Sequence, residues 1–322
     1  MNPFWKIPLF CDQPYAFRQI LSEIAWILSS KDLVLTQSKE SDFLGGTDWC
    51  QKLYQNIQDS KLLQKELLMV MPTLYKKRQK ARRLGRYYEE ILSTLLVLHY
   101  RLGVFHSLQL VDQGRTLGEL DFLIDTGSGY EHWEVCLKYY CRFGAGQEMR
   151  HWRGPNGIDR LDLKWQKLIS RQLAVPKIAA AIPVLQKMGL QVSRSKLFLR
   201  GILFHPVGQQ ASFVPHPIHP DHQYGNYFID GDRDCHSLPL REGQLLFAPH
   251  RTQWLCTIFS EAEGKDAKAM DEELRQWFLF NTEARQVMIA EKGANQDYHE
   301  VARYFVLSRD TTREDQDLRA NR

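Results

Sequence analysis

The sequence predicts an α/β fold. Three observations carry this expectation. From Tyr87 to His205 the apolar pattern runs helix, three strands, helix, strand. Two of those strands flank the Gly-bearing turn 125–129 (DTGSG), a hairpin signal. The fourth strand, 195–205 (SKLFLRGILFH), is almost continuously apolar, as a central strand buried on both faces requires.

The segments before this core read as helical. Residues 15–29 carry Phe17, Ile20, Leu21, Ile24, Ala25 and Leu28 at helical spacing. Residues 41–48, with Gly45 and Gly46, read as a loop, and 49–57 and 62–70 as further helices, the last interrupted by Pro72. Residues 87–100 (YYEEILSTLLVLHY) form an amphipathic helix that Gly103 is expected to end. Residues 104–111 alternate as a strand, followed by the hairpin strands 120–124 and 132–140. A loop then covers 142–155, and 157–173 is a helix lined by Ile158, Leu161, Trp165, Leu168 and Leu173. The first three strands form an antiparallel meander by their short turns. The fourth follows a helical crossover and is expected to pair in parallel with one of them.

After His205 the pattern loosens. Residues 207–220 are Pro- and His-rich, and 224–230, 244–248 and 254–259 are short strand candidates. A long helix is read over 266–292, a last strand over 301–308, and a charged, frayed tail over 311–322. The organisation is thus a helical region (1–80), an α/β core (81–206), an α+β extension (207–310) and the tail.

Composition narrows the function classes. Apolar residues make up 43% and charged residues 25% of the 322, which is ordinary for a globular chain. No apolar run approaches the 18 or so residues of a membrane span, and the first ten residues lack the basic-then-apolar pattern of a secretion signal. The six cysteines are scattered without a CxxC pair, so they read as reduced thiols of a cytoplasmic protein. Net charge is only +4, but residues 76–86 (KKRQKARRLGR), from Lys76 to Arg86, hold seven basic residues in eleven. Such a run suits contact with a nucleic-acid backbone, DNA or RNA; the alternative is a solvated helix lead-in.

The chemistry-bearing residues lie on the hairpin. Asp121 sits on its first strand, Glu134 and Lys138 on its second. Residues of equal parity share a strand face, so Glu134, Cys136 and Lys138 point one way, and Asp121 converges on Glu134 if the register allows. Two carboxylates beside a cation are what a Mg2+ or Mn2+ phosphodiesterase site requires. Glu89, near the start of the helix at 87–100, can face the same place; its other reading is helix-dipole stabilisation. Asp121 paired with Arg115 or Arg142, and Glu134 paired with Lys138, are the structural alternatives. The histidines His216, His219 and His222 recur at three-residue spacing, but Pro breaks the run and no zinc spacing fits.

This pattern resembles the PD-(D/E)XK, or restriction-endonuclease-like, superfamily, whose core has the same αβββαβ order. Over LGRYYEEIL (84–92), GRTLGELDFL (114–123), HWEVCLKYY (132–140) and GPNGIDRLDLKWQKLISRQL (154–173) the chain resembles, more closely, a family of bacterial proteins known as domain of unknown function 1853. The resemblance implies that Glu89, Asp121 and Glu134 hold a Mg2+ or Mn2+ ion and that Lys138 assists catalysis. One departure stands out. The superfamily places its lysine two residues after the second acid, and here that residue is Cys136, while Lys138 lies about 6.6 Å further along an ideal strand. Lys164 or Gln172, on the next helix, is an alternative source of the missing donor. The implied function is hydrolysis of nucleic-acid phosphodiesters, by endo- or exonucleolytic cleavage. The competing one is a degenerate nuclease-like module that binds nucleic acid or a protein partner.

Overall fold

Amphipathic helices build the first layer. In the computed structural model, which describes residues 7–35, 48–101, 103–209, 214–293 and 297–311, these are α1 (Pro8–Cys11), α2 (Tyr15–Ser29), α3 (Asp48–Asp59), α4 (Lys61–Lys80) and α5 (Leu84–Tyr100). The loop expected over 41–48, the start of the chain and most of the 311–322 tail lie outside the described residues. Ser60 starts α4 by accepting a hydrogen bond from the Leu63 N–H (3.2 Å). Contrary to expectation α4 runs through Pro72, which lies on its exposed side, where the lost hydrogen bond is open to solvent. Helix α5 ends not at Gly103 but on Arg101, which takes the left-handed conformation (φ 59°).

The strands are β1 (Val104–Asp112), β2 (Arg115–Asp125), β3 (Tyr130–Arg142), β4 (Trp152–Arg153), β5 (Val192–Pro206), β6 (Tyr224–Ile229), β7 (Gln244–Phe247), β8 (Ile258–Phe259), β9 (Arg285–Lys292) and β10 (Tyr298–Leu307). They join one mixed sheet in the order β1-β2-β3-β5-β6-β10-β9-β7, with β4 added on β3 and β8 on β10. Strands β1, β2 and β3 form the expected antiparallel meander, and β5 lies parallel to β3 after the crossover. Strand β6 continues in parallel beside β5, and β10 beside β6. The fold is therefore α/β with a large mixed sheet.

Side-chain alternation divides the sheet into two faces. Phe122, Ile124, Trp133, Val135, Tyr139 and Phe198 pack against α2 to α5. Cys136, Tyr140, Leu197, Leu199 and Leu203 pack on the other face, against Leu161 of α6 (Leu161–Lys167) and against Leu168 and Leu173. Helix α7 (Ala181–Lys187) covers β1 and β2 on that same side. Mid-strand Gly201 allows β5 to lie tightly against β3: a Cβ there would meet the Lys138 carbonyl oxygen at 1.9 Å.

Two helix expectations change. The segment 157–173 turns at Gly157 (φ 78°), enters α6 only at Leu161, and winds as a π-helical turn over Leu168–Gln172. The helix read over 266–292 is α8 (Ala267–Phe280) followed by β9. Asn281 is extended (φ −134°), and Gln286, Val287, Met288, Ile289 and Ala290 are all buried, so this run is a two-faced strand between β10 and β7. The 254–259 candidate reduces to β8, because Trp254 belongs to the turn that follows a short 3-10 helix.

His205, near the end of β5, is buried beside Trp152 (5.2 Å) and His222 (6.1 Å). Burial first, then the positive charge of Arg142 and then His222, lower its pKa to about 4. The unfolded chain takes up this proton near pH 6.5, so the contribution of His205 is full above that pH and is lost as pH falls toward 4. Between pH 7 and pH 5 this group should cost the fold about 2 kcal/mol. The measurement is urea denaturation of wild type and His205→Asn at both pH values. An equal acid loss in the two proteins would contradict it.

Candidate active site

The β2–β3 ladder ends at Phe122↔Trp133, one step before Asp121 comes opposite Glu134. There the Asp121 side chain takes over the next rung, its Oδ2 accepting from the Val135 N–H (2.9 Å). Beyond this point Leu117 to Glu119 of β2 and Leu137 to Tyr139 of β3 line opposite walls of a cleft of about 1180 Å3. Asp121 lines this cleft as well.

The register thus brings Asp121 and Glu134 together. Their carboxyls act on each other's charge. Both are largely buried, and both pKa values are raised. For Glu134 the causes are burial and then the Asp121 charge, and for Asp121 burial leads, with Glu89 adding to it. Glu134 Oε1 accepts a hydrogen bond from Gln172 Nε2. Gln172 Oε1 in turn accepts from Lys164 Nζ (3.0 Å). The Lys164 charge lowers the pKa of Asp121, Glu134 and Cys136, against the effect of burial. A straight α-helix would separate residues eight apart by about 12 Å. The π-helical turn at Leu168–Gln172 changes the winding there, a feature frequent at functional sites.

The other expected residues are placed as follows. Glu89 comes from the α5 layer and lines the same cleft, held by Arg86 Nη1 (3.1 Å), with His106 Nε2 3.6 Å away. Lys138 lines the cleft too, but its ammonium pairs with Asp159 rather than with Glu134. Asp159 also accepts from the Tyr140 hydroxyl (3.3 Å). Cys136 is a buried thiol with a raised pKa, in the position where a cation was sought. Asp121 pairs with neither Arg115 nor Arg142.

The basic run is divided by the fold. Arg78 is buried and pairs with Glu23 (3.1 Å), while Lys77 pairs with Glu90 (2.5 Å). Arg82, Arg83 and Arg86 line the cleft, where Lys167 and Arg171 from the α6 segment and Arg251 join them. No pattern in the sequence marked Arg251, because only the sheet order brings the C-terminal part of the chain to this cleft.

A divalent cation can be tested against this donor set. Asp121 and Glu134 offer carboxylate oxygens, and Glu134 Oε2 is buried without a hydrogen-bond partner. Hard cations such as Mg2+ take one or two carboxylates and complete their shell with water and phosphate oxygens. The pair fits that requirement. Among the described residues no group of three or more His, Cys, Asp or Glu converges to hold a metal, so Glu89 stands apart from the pair, and the spaced histidines do not form a site.

Residues 22–307 match the family described as domain of unknown function (DUF1853). The chain belongs to that family. No curated protein and no solved structure matches it. Membership of DUF1853 carries no assigned chemistry, so the reading of the site rests on its geometry. No single helix among the described residues is long and apolar enough to cross a membrane.

Proposed function

We propose that this DUF1853 protein is a Mg2+- or Mn2+-dependent nuclease with a restriction-endonuclease-like core. The observation that carries the proposal is the buried Asp121–Glu134 pair, whose Asp121 lines a cleft shared with seven cationic side chains: Arg82, Arg83, Arg86, Lys138, Lys167, Arg171 and Arg251. The meander with a parallel fourth strand is also the arrangement such a core needs. A polyanion gains affinity from each phosphate these side chains neutralise, and that affinity falls with salt. When bound, the metal supplies polarisation of the phosphoryl group and a more acidic water.

The chain's own groups do the rest. Asp121 and Glu134 would hold the metal in their ionised forms. The Val135 N–H fixes one oxygen of Asp121, and Gln172 fixes one oxygen of Glu134. Lys164, through Gln172, supplies the positive charge that Cys136 does not. Lys138, paired with Asp159 on the cleft wall, adds a cation that a backbone phosphate can approach.

The test is incubation of the protein with Mn2+ and single- and double-stranded DNA and RNA, alongside calorimetry with Mn2+. Intact substrates together with no metal heat would sink the proposal. A second reading, a non-catalytic binder of nucleic acid or protein, is favoured by Lys138 being tied to Asp159 and by the absence of a third metal ligand among the described residues. Salt-sensitive nucleic-acid binding without cleavage is its signature.

A further inference from the structure

A second recess of about 380 Å3 opens away from the cleft. Its walls come from the ends of three neighbouring parallel strands: Arg142 at the end of β3 with Gly144 beyond it, Pro206 at the end of β5 with Val207 and Gln209 beyond it, and Tyr227 to Ile229 of β6. In open α/β sheets, ligands bind outside the carboxyl ends of parallel strands. The volume is at the lower end of small-molecule sites. Arg142 lies about 26 Å from Glu134 along an ideal strand, so this is a separate place on the molecule.

Arg142 is the unusual group here. It is 6% exposed, yet no carboxylate among the described residues lies within ion-pair distance of it. Its Nη2 donates to Gln209 Oε1 (3.0 Å), and its Nε is buried without a partner. A buried charge without a counter-charge is costly, and most are paired. The chain makes specific room for it: at Gly146 (φ 77°) a Cβ would meet Arg142 Cδ at 2.4 Å. At the rim, Arg233 brings a second guanidinium, its Nη2 lying 3.8 Å from where a Cβ on Gly208 would stand. Arg233 has no ion-pair partner among the described residues either. Asp232, also at the rim, leaves the recess with a net positive character.

We infer that this recess binds a small oxyanion ligand, of the class of phosphate monoesters, with Arg142 as the buried anchor and Arg233 closing over it. Two guanidiniums match the oxygens of a phosphate group. The Tyr227 and Phe228 side of the recess offers apolar surface to the rest of such a ligand.

The experiment is isothermal titration of the folded full-length protein with inorganic phosphate at millimolar concentration. Wild type should bind. Arg142→Met, which keeps the volume and removes the charge, and Arg233→Ala, at the exposed rim, should each weaken binding by at least about tenfold. The double variant Arg82→Ala/Arg171→Ala, altered only in the large cleft, should keep the phosphate binding that Arg142→Met and Arg233→Ala lose. Circular dichroism checks that Arg142→Met folds; if it does not, Arg233→Ala decides. No phosphate heat with wild type overturns the inference. So does binding that survives both recess variants, or binding that is lost only in the cleft variant.

Discussion

Asp121→Asn is expected to lower the Mn2+-dependent cleavage of nucleic acid by about a hundredfold to a thousandfold, the scale of losing one charged or polar group at the reacting centre. The substitution is nearly isosteric. An asparagine oxygen can still accept the Val135 N–H, so the end of the β2–β3 ladder survives. What disappears is the negative charge that burial and Glu89 already make costly, and with it the repulsion felt by Glu134. The folded state should therefore be as stable as wild type or more so. That combination, lost cleavage with unchanged or higher thermal midpoint, separates a metal ligand from a structural acid. If Asp121→Asn cleaved as wild type does, Asp121 would be no more than the side chain that closes the ladder. Cleavage lost along with the fold would point to the same structural role.

The sequence carried much of this site because strand chemistry is local. Parity along 132–140 put Glu134 and Lys138 on one face, and the turn 125–129 limited the registers in which Asp121 could meet Glu134. The meander and its parallel fourth strand followed from loop lengths. What did not show was decided by contacts far apart in the chain. Lys138 was free, from sequence, to serve Glu134; its partner Asp159 is set by how the chain turns at Gly157. The π-helical turn that aims Gln172 leaves no mark in an apolar spacing read at 3.6 residues per turn. Residues 266–292 misled because α8 and β9 are both amphipathic and join through only a few residues, so that helical spacing could be drawn across the break. The basic run misled in a different way. Charge density alone does not tell a buried Arg78 from a cleft-lining Arg82, and only the packing of α4 against α2 separates them.

The same distinction between buried and solvated charge gives the largest expected loss of stability. Arg200, on β5, is fully buried beneath the helical layer, and Asp32, just after α2, is its only carboxylate partner among the described residues (2.7 Å). Its guanidinium also lies over the Phe198 ring (4.4 Å) and reaches the Cys50 sulfur (3.5 Å). Neither can neutralise it. Asp32→Ala should therefore destabilise the protein by about 3–5 kcal/mol, because it leaves an uncompensated charge in the core. That is a large share of the roughly 5–15 kcal/mol of a typical domain. Replacing both partners by apolar groups, as in Asp32→Leu/Arg200→Met, should recover most of the loss, since the pair owes little net energy to its attraction once desolvation is counted. Urea denaturation of the two variants and wild type measures both quantities. If Asp32→Ala cost less than about 1 kcal/mol, the Arg200 charge would have to be solvated rather than buried, and the tight seat of α2 and α3 on β5 would be wrong. If instead the double variant were as unstable as the single one, the loss would lie in packing around Phe198 and Cys50. The charge pair would then be a consequence of that packing, not a support for it.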